Sequence, residues 1–435
     1  MKCFFSLLIF WAGVLSLKAQ QSDTLQLTLV VQRVLASYPT TEQAWEVLKS
    51  TRVKVEQARS VFLPQVSGSA SYLWTAPVST MKFDGHEVDL DMKNSYQAGL
   101  SFSQVLYDFG KNRPKIESAR LQEELARLQL DRLYQALALQ TIQAYYLTGY
   151  ARKAIQIKQD ELSDILRLLN ETKVKKASGA VTDFDVLNTQ VKYSSTESEL
   201  ATLRANKYTQ NVNLSLLADT LIDDRVVLEE VKISPFPPES LDELISTGLE
   251  NRPEIKEARK RYEIAFQEEK ISSRVTNPSL DLKATAGGKN GFHPHLDRLK
   301  LNYSVGATLS IPIYEGGNRK REKALSHSRL VQEEAAIRLM EIEIKNQITT
   351  FYHTLKASLS RMELARLQIQ VAREAFLQAE TNYIAGAITN LELLTSATNL
   401  SAIQLQFEQE KMNYQVTYYQ LMQAIGRNIQ EYSLY

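Results

Sequence analysis

Gly110 and Gly179 stand 69 residues apart, and Gly317 and Gly386, 207 residues further on, stand 69 apart again. Polar, alanine-rich sequence fills both intervals. After Pro114 no proline occurs until Pro235, and after Pro312 none occurs at all. A spacing held to the residue across two otherwise featureless stretches is fixed by structure. A helix over 112–178 would be ~100 Å long at 1.5 Å per residue, whereas the helices of a compact core run three or four turns. Ile116, Ala119, Leu125, Leu128, Leu133, Leu137 and Ala144, with Ala, Gln and Glu between them, describe a coiled-coil type of surface. The helices alone fit a rod as well as any other extended assembly.

The duplication extends over the whole chain. "SYPTTEQAWEVLKSTRVKVEQARSVFLPQV" (37–66) pairs with "NRPEIKEARKRYEIAFQEEKISSRVTNPSL" (251–280), with Pro39 matching Pro253 and Pro64 matching Pro278 at an offset of 214. "LYDFGKNR" (106–113) pairs with "IYEGGNRK" (313–320) at an offset of 207, so the second copy lacks seven residues between Pro278 and Tyr314. The repeats are expected at 21–232 and 241–435, joined by the proline-rich linker 233–240. Each holds a first helix (about 25–62 and 240–275) and two alternating segments. A long helical stretch follows (about 112–217 and 318–425), broken once at the glycine and opened in the first copy by Pro114.

The first twenty residues, with Lys2, an apolar run from Cys3 to Leu17 and Ala19, have the pattern of a secretory signal peptide. Cys3, the only cysteine, would leave with it, so packing rather than disulfides must stabilise an exported chain. Without Lys2 and Lys18 the formal balance is 49 cations against 50 carboxylates, and no basic excess points to nucleic acid.

The alternating segments discriminate among the readings. "NYSVGATLSI" sets Tyr303, Val305, Ala307, Leu309 and Ile311 against Asn302, Ser304, Gly306, Thr308 and Ser310. "SYQAGLSFSQ", "QVSGSASYLW" and "SLDLKATA" alternate in the same way. Strands are expected at about 64–75, 95–106, 278–287 and 301–312. Four segments of about ten residues, apolar on one face and small or polar on the other, match transmembrane β-barrel strands; a half-buried sheet in a soluble sandwich alternates likewise. The small polar faces suit a wet lumen, and Tyr72, Trp74 and Tyr96 near strand ends suit an interfacial girdle. Four strands cannot close a barrel, and open edges are not tolerated in lipid, so membrane strands here require an oligomer.

The repeated proline-led helix, the "LYDFGKNR" and "IYEGGNRK" strand exits, and the two glycine-centred breaks "ASGAVTDFDVL" (177–187) and "AGAITNLELL" (385–394) together resemble the TolC-type outer-membrane efflux proteins. The resemblance covers essentially the whole mature chain. It implies an α plus transmembrane-β fold: a trimeric 12-stranded outer-membrane β-barrel, four strands per protomer, continuous with a long periplasmic α-helical coiled-coil barrel. It further implies a passive exit duct set in outer-membrane lipid. A periplasmic membrane-fusion adaptor and an energised inner-membrane transporter of the RND or ABC type would recruit it.

On this resemblance the glycines reverse paired helices at the periplasmic tip. Glu392 falls where an acidic ring surrounds the aperture, Asp185 where a carboxylate helps to close it, and Tyr383 where a gate tyrosine is expected. Adaptor contacts would fall on Gly179, Ala180, Gly386 and Ala387. Two positions depart from the pattern: Ile388 occupies the place of an arginine that would pair with the first-copy carboxylate, and Thr395 the place of a second acid. Lys175 or Lys176 could supply the missing cation. Asp185 and Glu392 also fit as acids that stabilise helix N-termini.

The remaining signals are weak. His86, His293, His295, His327 and His353 form no metal motif, and "AGGKNG" (286–291) is expected to be a turn between strands. No catalytic constellation, cofactor motif or metal site is apparent. Three readings fit the chain: a small-molecule efflux duct, the outer-membrane channel of a type I protein-secretion system, and a non-pore periplasmic coiled-coil scaffold.

Overall fold

The structure, a computed structural model, describes residues 24–83, 85–89, 91–222, 227–229, 232–292 and 295–428. The expected signal segment, 1–20, lies outside the described residues.

The chain runs β1 (Thr24–Leu25), α1 (Leu27–Ser37), α2 (Pro39–Arg59), β2 (Gln65–Trp74), β3 (Thr80–Phe83), β4 (His86–Asp89), β5 (Asn94–Tyr107), α3 (Arg113–Ala177) and α4 (Asp183–Ala218). It continues with β6 (Val227–Leu228), α5 (Leu241–Asn251), α6 (Pro253–Arg274), β7 (Ser279–Lys289), β8 (Lys300–Ser310), α7 (Asn318–Ile384) and α8 (Asn390–Ala424). The first helix expected in each copy is in fact two. Pro39 and Pro253 each open a new helix, and Tyr38 and Arg252 before them are extended, with ψ of 128° and 130°. Proline's ring drives the preceding residue out of the helical region, so the chain bends there.

β2, β5, β7 and β8 form one antiparallel sheet in that order. β5 pairs with β7, which joins the hairpins of the two copies and leaves β2 and β8 as edges. The seven residues missing from the second copy correspond to a longer β2–β5 connection that holds the β3–β4 hairpin. "AGGKNG" is not wholly a turn, because Ala286 to Lys289 continue β7. Gly287 faces Gly99 across the β5–β7 pair; a Cβ there would lie 2.3 Å from the Ala98 carbonyl oxygen. Two glycines let these backbones close where any side chain would part them.

α3 (65 residues) and α7 (67) each run ~100 Å, while α4 (36) and α8 (35) are about half as long. α4 folds back on α3 and α8 on α7, and α3 packs against α8. In the half beside the sheet, α2 and α6 take their place, giving the contacts α2–α3, α3–α6 and α6–α7. The protomer therefore presents four helices abreast along its length. α1 and α5 clasp the middle of the long helices. Val30, Val31 and Val34 of α1 pack on Ile142, Tyr145 and Leu214, and Leu244 of α5 packs with Ile255 of α6 on Ile344, Ile348 and Leu421. The Tyr145 hydroxyl lies 2.8 Å from the Leu25 carbonyl oxygen and 2.9 Å from that of Glu229, tying β1 and the end of β6 to α3. No described helix is long and apolar enough to cross a membrane.

Candidate functional site

Two regions bear on function: the sheet, and the tips where α3 turns into α4 and α7 into α8. In the sheet, register assigns every side chain to a face. Val66, Phe102, Ala284 and Val305 form one row, and Gly68, Leu100, Ala286 and Tyr303 the next, all on one side. The other side carries rows such as Ser67, Ser101, Thr285 and Ser304, with hydroxyl contacts of 2.7 Å between Ser67 and Ser101 and between Thr285 and Ser304. The apolar face is uncovered within the protomer, with Leu301 93% and Tyr303 86% exposed.

Aromatic rings mark both ends of this face. Tyr72 packs on Tyr96 at 5.3 Å at the far end, and Tyr107 meets Phe109 at 4.7 Å beside the helices. Along β5 the two bands lie ~36 Å apart, or ~28 Å across a sheet tilted by ~40°, close to the ~25 Å apolar band of outer-membrane barrels.

The tips are two copies of one device. Gly179 (φ 75°) and Gly386 (φ 74°) end α3 and α7 in the left-handed region. The Ala180 N–H donates to the Lys175 carbonyl and the Gly179 N–H to that of Lys176; Ala387 and Gly386 donate likewise to Asn382 and Tyr383. Each is a six-to-one and five-to-two pair that closes a helix on glycine. Three residues later Thr182 and Thr389 open α4 and α8. The Asp185 and Glu392 backbone N–H groups donate to these threonine side chains at 3.3 Å, and the acids accept from the threonine N–H at 2.9 and 2.7 Å. The acids singled out in the sequence are thus the third residues of two capping boxes. The backbone N–H and hydroxyl of Thr389 hold the exposed Glu392 carboxyl below the usual carboxylate range.

Contacts between the hairpins come from other residues. Tyr383 is buried; its hydroxyl lies 3.4 Å from that of Thr172, and Lys175 Nζ sits 3.8 Å from its ring centroid while donating to its carbonyl at 3.2 Å. Lys176 pairs with Asp183, so neither lysine takes the role of the missing arginine toward the Asp185 carboxylate. Ile388 packs with the apolar cluster of Ile165, Leu168, Leu393 and Leu394, where an arginine would be desolvated. Arg167 reaches from α3 to Glu380 of α7.

Asn390 is a functional candidate that the sequence does not single out. It is 3% exposed, and its amide nitrogen donates to Thr189 Oγ1 at 2.6 Å and to the Asp185 carbonyl at 3.1 Å. The structure thus brings the Asp185 backbone and Tyr383 to the seam between hairpins, leaves Glu392 in its own cap, and exposes Gly179, Ala180, Gly386 and Ala387 at the ends. Among the described residues no group of three metal-ligating side chains converges.

A strand wall with a polar face and an apolar face, continued by helices four abreast, fits a membrane-embedded duct. The outer membrane efflux protein family matches residues 30–219 and 244–427, and the chain belongs to that family. It is 22% identical over 389 residues to outer membrane protein TolC of Escherichia coli strain K12, covering 86% of this chain and 76% of that protein. It is 23% identical over 367 residues to the alkaline protease secretion protein AprF of Pseudomonas aeruginosa, covering 82% of this chain and 75% of that one. The crystal structure of the outer membrane protein VceC from Vibrio cholerae superposes with a TM-score of 0.79 at 20% identity, covering 92% and 96% of the two chains. The fold is that of the trimeric outer-membrane channels, and the protein resides in the outer membrane with a periplasmic helical extension.

Proposed function

We propose that three copies of this chain form a passive outer-membrane exit duct, recruited by a periplasmic adaptor and an energised inner-membrane transporter, with its aperture at the α3–α4 and α7–α8 tips. The observation that carries this reading is the sheet. Its apolar face has no cover within the protomer, and its two edges, β2 and β8, carry backbone groups that lipid cannot satisfy. Three sheets joined edge to edge supply twelve strands, and three sets of four helices continue the same wall inward.

At the tips, Glu392 of three copies would ring the aperture and favour cations. Asp185, Tyr383 and Asn390 would hold the hairpins together, and Gly179, Ala180, Gly386 and Ala387 would meet the adaptor, where small side chains permit close approach. Cargo divides into two readings. The tripartite small-molecule route is preferred, because the family that matches both halves of the chain is named for outer-membrane efflux. The likeness to a protein named for alkaline protease secretion supports the second, a type I secretion channel.

Purified protein in planar bilayers tests the duct. Stepwise conductance that persists without any energy source is expected; protein that inserts but conducts no ions would overturn it.

A further inference from the structure

The apolar sheet face ends beside the helices. Tyr107 and Phe109 close its aromatic band there, and Ile313, 95% exposed, and Tyr314 carry the uncovered face past the end of β8. Within a few residues the chain turns cationic in both copies. Lys111, Arg113 and Lys115 stand at the entry to α3, and Arg319, Lys320, Arg321 and Lys323 at the entry to α7. Over 108–116 and 313–323 only Asp108, Glu315 and Glu322 oppose them.

The protomer itself gives these cations little to do. Asp108 is buried and accepts from the Gly110 and Asn112 N–H groups at 3.0 and 2.7 Å. Glu117, the next acid along α3, pairs with Arg120, and Glu268 and Glu269 of α6 meet Arg329 and His327. Arg319 donates to the Ser273 carbonyl and Arg321 to that of Gly316. The side chains of Lys111, Arg113, Lys115, Lys320 and Lys323 make no hydrogen bond or ion pair among the described residues. Cations in a first turn also oppose the helix dipole, so they do not serve the helices.

Their setting is fixed. Arg274 of α6 donates to the Gly110 carbonyl at 3.2 Å and Asn277 to that of Phe109 at 2.8 Å, which ties the entry of α3 to the exit of α6. Ser326 lies 2.7 Å from Ser272 of α6 and so marks the side of α7 that meets its neighbour. At ~100° per residue, Lys323 and Lys320 lie ~60° and ~120° round from it, and Arg321 ~220°. In a wall one helix thick they fall on its two opposite faces, so α7 turns cations outward whichever face is the outer one. The rise from Asn318 to Lys323 is ~8 Å, comparable with the ~5–8 Å polar layer on each side of a bilayer.

Resting on the duct reading, we infer that the cations at the entries of α3 and α7 form, in three copies, a collar that binds the anionic headgroups of phospholipids in the leaflet facing the helices. The apolar sheet face sets hydrocarbon against the wall, and the collar sets charge where the phosphates lie. Long Lys and Arg side chains keep their stems along the apolar surface and their heads in the polar layer. Each such cation strengthens binding to an anionic surface about fivefold.

The test places the full trimer in phosphatidylcholine vesicles with a trace of spin-labelled lipid and reads the protein-associated fraction by electron paramagnetic resonance. Phosphatidylglycerol is expected to associate roughly threefold or more above phosphatidylcholine. That preference should weaken in 1 M salt, where charges are screened within ~3 Å. Combined Arg113→Gln, Lys115→Gln, Lys320→Gln, Arg321→Gln and Lys323→Gln substitution should bring the ratio to about one. Exchanging Lys for Arg and Arg for Lys at the same positions should keep it. Recovery of each variant as a trimer from outer membranes confirms that the barrel has formed. Equal association of the two lipids with the wild type, the result expected if the cations serve only the lumen, would overturn the collar, as would a preference that survives the five glutamines. Wild-type protein that enters no membrane would instead remove the duct reading beneath it.

Discussion

Asn390 and Glu392 are two residues apart on α8 and answer to different constraints. Asn390 fills a buried position where its amide meets a hydroxyl and a carbonyl of the other hairpin. Asn390→Leu leaves Thr189 and the Asp185 carbonyl without that donor, at a cost of about 1–3 kcal/mol. The expected outcome is a higher resting conductance and faster proteolysis at the tips, with the trimer intact; unchanged conductance would remove the pinning role. Glu392 is exposed, so its charge acts through the aperture. Glu392→Ala should lower cation preference, read as a shifted reversal potential, while leaving assembly unchanged. Its folded pKa is depressed by Thr389, so the cap's stabilisation is present above the ordinary value of 4.5 and is lost only as pH falls through the depressed value. Cation preference in the wild-type pore should therefore persist as pH passes 4.5 and fade below it; fading above 4.5 would show that another acid sets it.

At the scale of elements, glycine plays two separable roles. A Cβ on Gly179 would meet nothing within 4 Å, so Gly179→Ala brings only left-handed backbone strain of about 1 kcal/mol and should assemble normally. Gly287→Val drives a side chain into the Ala98 carbonyl and should abolish trimer in the outer membrane. The α3–α4 hairpin also carries a titratable link. Lys158, 8% exposed, lies 2.7 Å from both Glu161 and Glu199, and its hydrogen bond holds the Glu199 carboxyl below the usual range. That stabilisation exists above the ordinary glutamate value and is lost as pH falls through the depressed one. Glu199→Gln should therefore flatten the acid side of the unfolding profile followed by circular dichroism.

Strands, long helices and tip turns are legible in the sequence because period, length and glycine spacing are local properties. The breaks at Pro39 and Pro253 are masked because apolar rhythm continues across them, although the prolines themselves are the signal. The continuation of β7 through "AGGKNG" is hidden because its glycines answer to Gly99 on another strand. Asn390 gives no sign of its role, since burial of an amide depends on a partner 201 residues away. The capping boxes are local, and Thr182 with Asp185 and Thr389 with Glu392 are their signal.

The whole molecule is organised by what a protomer leaves unfinished. Its sheet has two open edges, and its outer helices leave apolar side chains uncovered: Phe184, Leu187 and Val191 on α4, and Leu367, Val371 and Ile384 on α7. Because α4 and α7 flank α3 and α8 at the tip end, a ring of copies would lay one against the other and bury both stripes. Strand closure and helix closure would then be one event. The measurement that tests this most directly is the mass of the protein extracted from outer membranes in mild detergent, before and after heating. A trimer that converts to monomer on heating is expected. A soluble monomer or dimer, absent from the membrane fraction, would contradict it.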